Sequence, residues 1–266
     1  MSLNVLTAGS GPALLLLHGF TGTARMWSSQ IDTWKASHRV IAPDLLGHGG
    51  SEAPSDPATY ALERQADGLA DLLDLLEGTP ATVVGYSMGA RLALVLALEH
   101  PGSVARLVLE SPSAGIADER HRAARREADE HLAQEIEGGG TDAFVARWEA
   151  MPIFASHADL PAAVQAHQRD ERRRHTPAGL AASLRGAGQG AMTPLHDRLQ
   201  LIAVPTLVVA GALDPTGQSR AGMIADAIPD ARLEVIDDAG HTPHLESSDT
   251  FIRITNDFLT SSPVAT

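Results

Sequence analysis

The segment Gly85-Tyr86-Ser87-Met88-Gly89 constrains this chain more than any other. It follows an apolar β-branched run, Thr82-Val83-Val84, and precedes a helix-forming run from Ala90 to Leu98. A serine in so tight a strand-to-helix turn takes a strained backbone, and its neighbours must be glycine or very small. The strain lifts the Ser87 hydroxyl clear of the sheet. The helix start then points its free N–H groups at developing negative charge. A reactive serine is expected at Ser87, on a framework of strands alternating with helices.

The rest of the chain supplies that framework. Ala13-Leu14-Leu15-Leu16-Leu17 reads as a buried strand ending in His18-Gly19-Phe20, and Arg39-Val40-Ile41-Ala42 as another. From Leu62, apolar residues recur at Ala66, Leu69, Leu73 and Leu76 with Asp67, Asp71 and Asp74 between them, which is helical spacing stopped by Gly78. The helix after Ser87 is apolar nearly all round, so it is expected to be buried. A strand at 104–109 follows. The character then changes. Charged helical segments at 118–136, 141–150 and 158–173, and a shorter one at 178–185, are divided by Gly138-Gly139-Gly140, Pro152, Pro161 and Pro177. Alternation resumes with a strand at 205–210, a helix near 219–227, a strand at 232–236 and a last helix with Phe251, Ile254 and Phe258 on one face. The pattern predicts an α/β protein with a mostly parallel sheet and helices on both faces. Its core is expected at 1–111 and 196–266, with a helical cap inserted at 112–195.

At 266 residues the chain buries roughly 70–75% of its unfolded surface, enough for a full core. It has no cysteine, which excludes disulfides, thiolate–zinc sites and a catalytic thiol. No basic segment followed by an apolar one opens the chain, and the run at 13–17 is far too short to span a membrane. A cytoplasmic location without membrane insertion is expected. The formal charge is −13 and no basic stretch resembles a nucleic-acid footprint. An acidic protein repels anions at long range, so an anionic substrate would need local arginines.

A serine base needs a histidine, and the histidine an orienting acid. In strand–elbow–helix enzymes these follow the serine in the order acid, then histidine. Asp214, in Gly211-Ala212-Leu213-Asp214, follows a strand, and so does His241, in Asp238-Ala239-Gly240-His241. Ser87, Asp214 and His241 are the expected triad. Glu110 also ends a strand and is the rival acid; Asp237 and Asp238 read as solvated turn residues. His244 could pair with His241 as metal ligands, but no third ligand stands at zinc spacing, so it reads as a pocket or packing residue. The backbone N–H groups of Phe20 and Met88 are the expected oxyanion hole. His18 reads as a tie for its loop, and His48 as part of a turn. Arg91 lies in the first turn of the elbow helix, where a free cation is mildly unfavourable. It serves either a ligand or an ion pair with a core carboxylate. Arg125, Arg147 and Arg172 lie in the cap, as solvated residues or anion binders. Tyr86 and Trp148 suit either a substrate ring or the core.

Several segments together carry a more specific resemblance. They are Gly85-Tyr86-Ser87-Met88-Gly89-Ala90-Arg91, Glu110-Ser111-Pro112-Ser113-Ala114-Gly115, Arg122-Ala123-Ala124-Arg125, the stretch 144–156 (FVARWEAMPIFAS), Gly179-Leu180-Ala181-Ala182-Ser183-Leu184-Arg185-Gly186 and Gly240-His241-Thr242-Pro243-His244-Leu245-Glu246. The chain resembles the menaquinone-pathway 2-succinyl-6-hydroxy-2,4-cyclohexadiene-1-carboxylate synthases (MenH), a family with the α/β-hydrolase fold. Ala90 stands where the family's elbow carries glycine. The resemblance implies a lyase without metal or organic cofactor, acting on a small tricarboxylate. It implies that Ser87, activated by His241 and Asp214, abstracts a ring proton, and that Phe20 and Met88 stabilise the resulting charge. It also implies that Arg91, Arg125 and Arg172 bind carboxylates and that Tyr86 and Trp148 line the pocket. Arg172 is one of three consecutive arginines, with Arg173 and Arg174. The runner-up is a serine hydrolase of a small carboxylate-bearing ester or C–C bond substrate, and a non-enzymatic ligand-binding homologue is third.

Overall fold

A computed structural model describes residues 1–261. Residues 262–266, the end of the expected second core segment, lie outside the described residues. Seven strands form one sheet: β1 (Val5–Ala8), β2 (Ala13–Leu17), β3 (Arg39–Pro43), β4 (Ala81–Tyr86), β5 (Val104–Glu110), β6 (Thr206–Gly211) and β7 (Ala231–Ile236). Their spatial order is β1-β3-β2-β4-β5-β6-β7. Every neighbouring pair is parallel except β1 with β3. β1 was not expected from the sequence: Val5-Leu6-Thr7-Ala8 is short and only half-buried, as suits an edge strand.

The central strands are apolar on both faces, as helix-covered parallel strands must be. Successive side chains point to opposite sides. Leu15, Leu17, Val83, Leu107 and Leu109 pack under α2 (Leu62–Leu75), α3 (Met88–Glu99) and α7 (Pro215–Ala227). Leu14, Leu16, Val84, Val108 and Val209 pack with Trp27, with Trp34 of α1 (Ser28–Trp34), and with Phe251 and Phe258 of α9 (Ser248–Thr260). Burying each such Leu or Phe contributes about 1.5–3 kcal/mol.

Between β5 and β6 the described chain is helical and irregular: α4 (Glu119–Glu149), a 3₁₀ segment at Pro152–Asp159, α5 (Ala162–Arg172) and α6 (Pro177–Ala187). α4 joins the two segments expected at 118–136 and 141–150 across a break at Gly140 (φ 77°, ψ 172°), a backbone that glycine tolerates. Its two arms fold against α6 through Ala133, Ile136, Phe144, Val145, Leu180 and Leu184. Among the described residues no helix is long and apolar enough to cross a membrane.

Candidate active site

Ser87 opens α3 with φ 51° and ψ −103°, outside the regions an L-residue prefers. Its N–H donates to the Glu110 carbonyl at the end of β5 (2.9 Å). A Cβ at Gly85 would collide with the Gly89 backbone, and one at Gly89 with the Leu17 carbonyl. The two glycines let β4, α3 and β2 close on one another, and the serine between them absorbs the strain.

His241 lies in the loop after β7. Its Nδ1–H donates to Asp214 Oδ2 (2.8 Å), and its Nε2 accepts from Ser87 Oγ (3.2 Å). An ionised carboxylate only accepts, so Asp214 selects this tautomer. Asp214 is also the N-cap of α7, where Oδ1 accepts from the Gly217 N–H (2.9 Å) and Pro215 begins the helix. The His241 hydrogen bond above all, with that from Gly217, holds Asp214 below the usual carboxylate range despite its burial. The helix expected near 219–227 therefore starts earlier, at its cap. The rival acid Glu110 serves another residue. Its carboxylate accepts from the His244 ring Nδ1 (2.9 Å) and backbone N–H (2.8 Å), and both side chains are buried.

Ser87 and His241 border a cavity of about 180 Å³. Phe20, Tyr86, Met88, Arg91, Arg125 and Trp148 line it as well. Among the described residues the backbone N–H groups of Phe20 and Met88 have no acceptor within the chain. The Phe20 ring meets Trp148 (5.3 Å between centroids) and His48 (5.7 Å) edge-on. Tyr86 lies between His241 (5.6 Å) and His244 (4.9 Å), and burial, above all, pushes its phenol well above the ordinary value.

The arginines divide. Arg91 is buried, and its Nη1 donates to the Ala187 carbonyl (2.7 Å). Among the described residues no carboxylate pairs with it, so the ion pair weighed from the sequence is not formed. Burial, then the charge of Arg125, lowers its pKa to about 10, so it stays charged at neutral pH. Arg125 is tied by Nε to Asp129 (2.8 Å) and by Nη1 to Gln189 (3.2 Å). Arg172 is not brought to this cavity. It is buried, bonds Glu149 (3.0 Å) and lies over the Phe154 ring (5.7 Å). It lines a neighbouring cavity that Met151 and Phe154 share with the first. Arg147 pairs with Glu135 at the surface, away from both. Sequence reasoning missed Arg220, which lines the first cavity and has no carboxylate partner among the described residues. The signal for it is weak: once Asp214 is known as the cap, Gly217 and Arg220 recur at helical spacing on the same face of α7.

Three neutral histidines support the Phe20 loop. His18 accepts from the Leu45 N–H (2.8 Å) and donates to the Gly19 carbonyl (2.8 Å). His175 accepts from the Gly49 N–H (3.0 Å) and donates to the Thr21 carbonyl (2.8 Å). The His48 ring packs tilted against His18 (5.1 Å) and edge-on against His175 (5.2 Å). Burial lowers His18 to about 4, His48 well below its ordinary value and His175 in the same direction; Asp44 and Glu171 oppose this without cancelling it. Groups depressed in the folded state leave stability intact above the unfolded pKa of about 6.5, and cost stability as the unfolded chain takes up protons below it. Tm is therefore expected to fall between pH 6.5 and about 5, above the range of carboxylate titration. A calorimetric Tm that is flat across that window would contradict neutral histidines here.

Among the described residues no group of three or more His, Asp and Glu is placed to hold a metal ion.

Comparison with known proteins agrees with the fold. The alpha/beta hydrolase fold family matches residues 12–248. A Bacillus subtilis protein provisionally named 2-succinyl-6-hydroxy-2,4-cyclohexadiene-1-carboxylate synthase is 37% identical, over 96% of this chain and 94% of that one. The structure of MenH from S. aureus superposes with a TM-score of 0.92 at 33% identity, covering 97% of each chain. A thermophilic esterase from Thermogutta terrifontis, in a malate-bound form, gives a TM-score of 0.84 at 26% identity, over 97% of this chain and 92% of that one. The chain thus has the α/β-hydrolase fold and is an enzyme of that class. Within the class it belongs to the 2-succinyl-6-hydroxy-2,4-cyclohexadiene-1-carboxylate synthase (MenH) family of carbon–oxygen lyases.

Proposed function

We propose that this enzyme eliminates pyruvate from 2-succinyl-5-enolpyruvyl-6-hydroxy-3-cyclohexene-1-carboxylate to give 2-succinyl-6-hydroxy-2,4-cyclohexadiene-1-carboxylate, in the cytoplasm and without a cofactor. The observation that carries the reading is the buried Arg91 guanidinium in the cavity wall beside Ser87, in a direct ion pair with no carboxylate among the described residues. A buried cation is costly unless an anion meets it. Arg220, with no carboxylate partner among the described residues, adds positive charge to the same cavity, which Arg125 lines while paired with Asp129. Such a site favours a polycarboxylate within an otherwise acidic protein.

In this mechanism Ser87 Oγ removes the ring proton and passes its own to His241 Nε2. The C–H electrons move through the ring double bond and expel the enolpyruvyl oxygen. His241 returns a proton to the leaving group, which ketonises to pyruvate, and the ring keeps a conjugated diene. Asp214 stabilises the transient imidazolium. The Phe20 and Met88 N–H groups receive charge developing on a substrate carboxylate. Tyr86 and Trp148 flank the ring. Arg91 and Arg125 hold carboxylates; Arg172 takes part only if Phe154 moves from between the two cavities. The helical segment 112–195 acts as a cap over the site.

The test is turnover. Purified enzyme given freshly generated substrate is expected to release pyruvate above the spontaneous rate, with diene absorbance rising in step. Background-only release, with turnover of small carboxylate esters, would favour the second reading, a serine hydrolase. The likeness to the malate-bound esterase is what recommends that alternative.

A further inference from the structure

The loop that carries His241 is gripped by a carboxylate with no assigned role. Glu246, at the end of the short helix α8 (Pro243–Glu246), accepts from the Gly240 N–H (2.7 Å) through one oxygen. Through the other it accepts from the Thr242 N–H (2.8 Å) and the Thr242 hydroxyl (2.6 Å). The residues immediately before and after His241 are thus pinned by one side chain, itself 3% exposed. The Thr242 hydroxyl, having donated its proton to Glu246, accepts from His157 Nε2 (2.5 Å). His157 belongs to the 3₁₀ segment Pro152–Asp159 of the helical excursion. In the same segment Phe154 meets the His241 ring edge-on (6.2 Å) and Ser156 packs against Gly240.

The geometry points to Glu246 as a positioning residue for His241, linked through the Thr242 hydroxyl and His157 to the seated helical segment. The inference rests on the proposed role of His241 as the partner of Ser87. Glu246 touches no reacting atom. It sets where the imidazole stands between Asp214 and Ser87, and small displacements of such a group are costly to rate. The protonation states agree with the chain of donors. Burial, chiefly, lowers His157 to about 4, so near neutral pH it is a single donor facing an acceptor. Burial raises Glu246, but its hydrogen bonds outweigh that and leave its pKa below the ordinary value, so the carboxylate accepts throughout. The charged groups facing His157 are Glu246 and Arg172, with His241 and His244 also near.

The experiment compares wild type, Glu246→Gln, Thr242→Val and Thr242→Ser by steady-state kinetics. It also measures the rate at which a fluorophosphonate labels Ser87, which reports the serine–histidine pair whatever the natural substrate. Glu246→Gln is expected to lower kcat and the labelling rate together, by about 30-fold, with KM within about 3-fold of wild type. Thr242→Val is expected to lower both by about 5-fold, and Thr242→Ser, which keeps the hydroxyl, to restore them. Labelling and kcat of Glu246→Gln within about 2-fold of wild type, or a rise in KM alone, would overturn the inference. Should Glu246→Gln fail to fold, the Thr242 pair decides: equal rates in Val and Ser variants overturn it. Ser87→Ala is the control that separates the two claims. If that variant still turns over, the role of the triad itself falls. If it is inactive while Glu246→Gln behaves as wild type, only the positioning inference falls.

Discussion

Replacing Ser87 with alanine is expected to lower kcat about 10³-fold or more while the protein stays folded. The hydroxyl is the only part of Ser87 that meets His241. The strained backbone is imposed by Gly85, Gly89 and the Glu110 carbonyl, none of which the substitution touches. Alanine can occupy the same conformation, so Tm is expected to change little. The residual rate would come from the N–H pair and the arginines, which on the proposed mechanism would still hold the substrate. Near-normal turnover in a folded Ser87→Ala protein would remove this serine from the mechanism and leave His241 as the direct base.

Glu110→Ala is expected to produce the largest loss of stability, about 3–5 kcal/mol. Both oxygens of Glu110 are occupied by His244, and neither side chain reaches water. Removing the carboxylate leaves a ring N–H and a backbone N–H without acceptors in a dry interior. For a chain of this size that corresponds to a fall in Tm of about 6–10 °C. The ring of His244 lies 4.4 Å from Trp27 and 4.9 Å from Tyr86, so the loss would also loosen one wall of the cavity. Glu110→Gln, which keeps one acceptor, is expected to cost less. Calorimetry on the two variants checks the ordering, and a Tm of Glu110→Ala within a degree or two of wild type would show that the pair contributes nothing net.

Much of the scaffold was legible because its signals are local. A run of five apolar residues at Ala13–Leu17, flanked by glycines and too short for a helix, reads as a strand covered on both faces. Gly85 and Gly89 announce a turn that nothing larger could make. Asp214 and His241 follow from strand ends and chain order. What escaped was what depends on a third dimension. β1 carries four residues, too few for its pattern to rise above the background, and is recognisable only by its pairing with β3. Arg172 and Arg220 are the same letter, yet one is buried against Glu149 and the other lines the cavity. Which way a helix turns its arginines depends on what it docks against, and that is written in distant residues. Glu246 lay in a recognisable motif but without a task, since two of its three donors, the Gly240 and Thr242 N–H groups, belong to the backbone, which no letter marks, and only the third, the Thr242 hydroxyl, is a side chain.

The register of the sheet has a bearing on how this enzyme comes into being. β5 pairs directly with β6, Leu107 beside Thr206, so strands separated by the whole helical excursion must find each other. Ser87 stands on the early side of that gap, and Asp214 and His241 on the late side. During synthesis the serine turn can form long before its partners leave the ribosome, yet on the proposed mechanism it stays inert until the last two strands dock. Such long-range parallel pairing is slow relative to local contacts. Recovery of Ser87 reactivity after refolding should therefore lag behind recovery of helix content, and the delay would time the closing of the sheet.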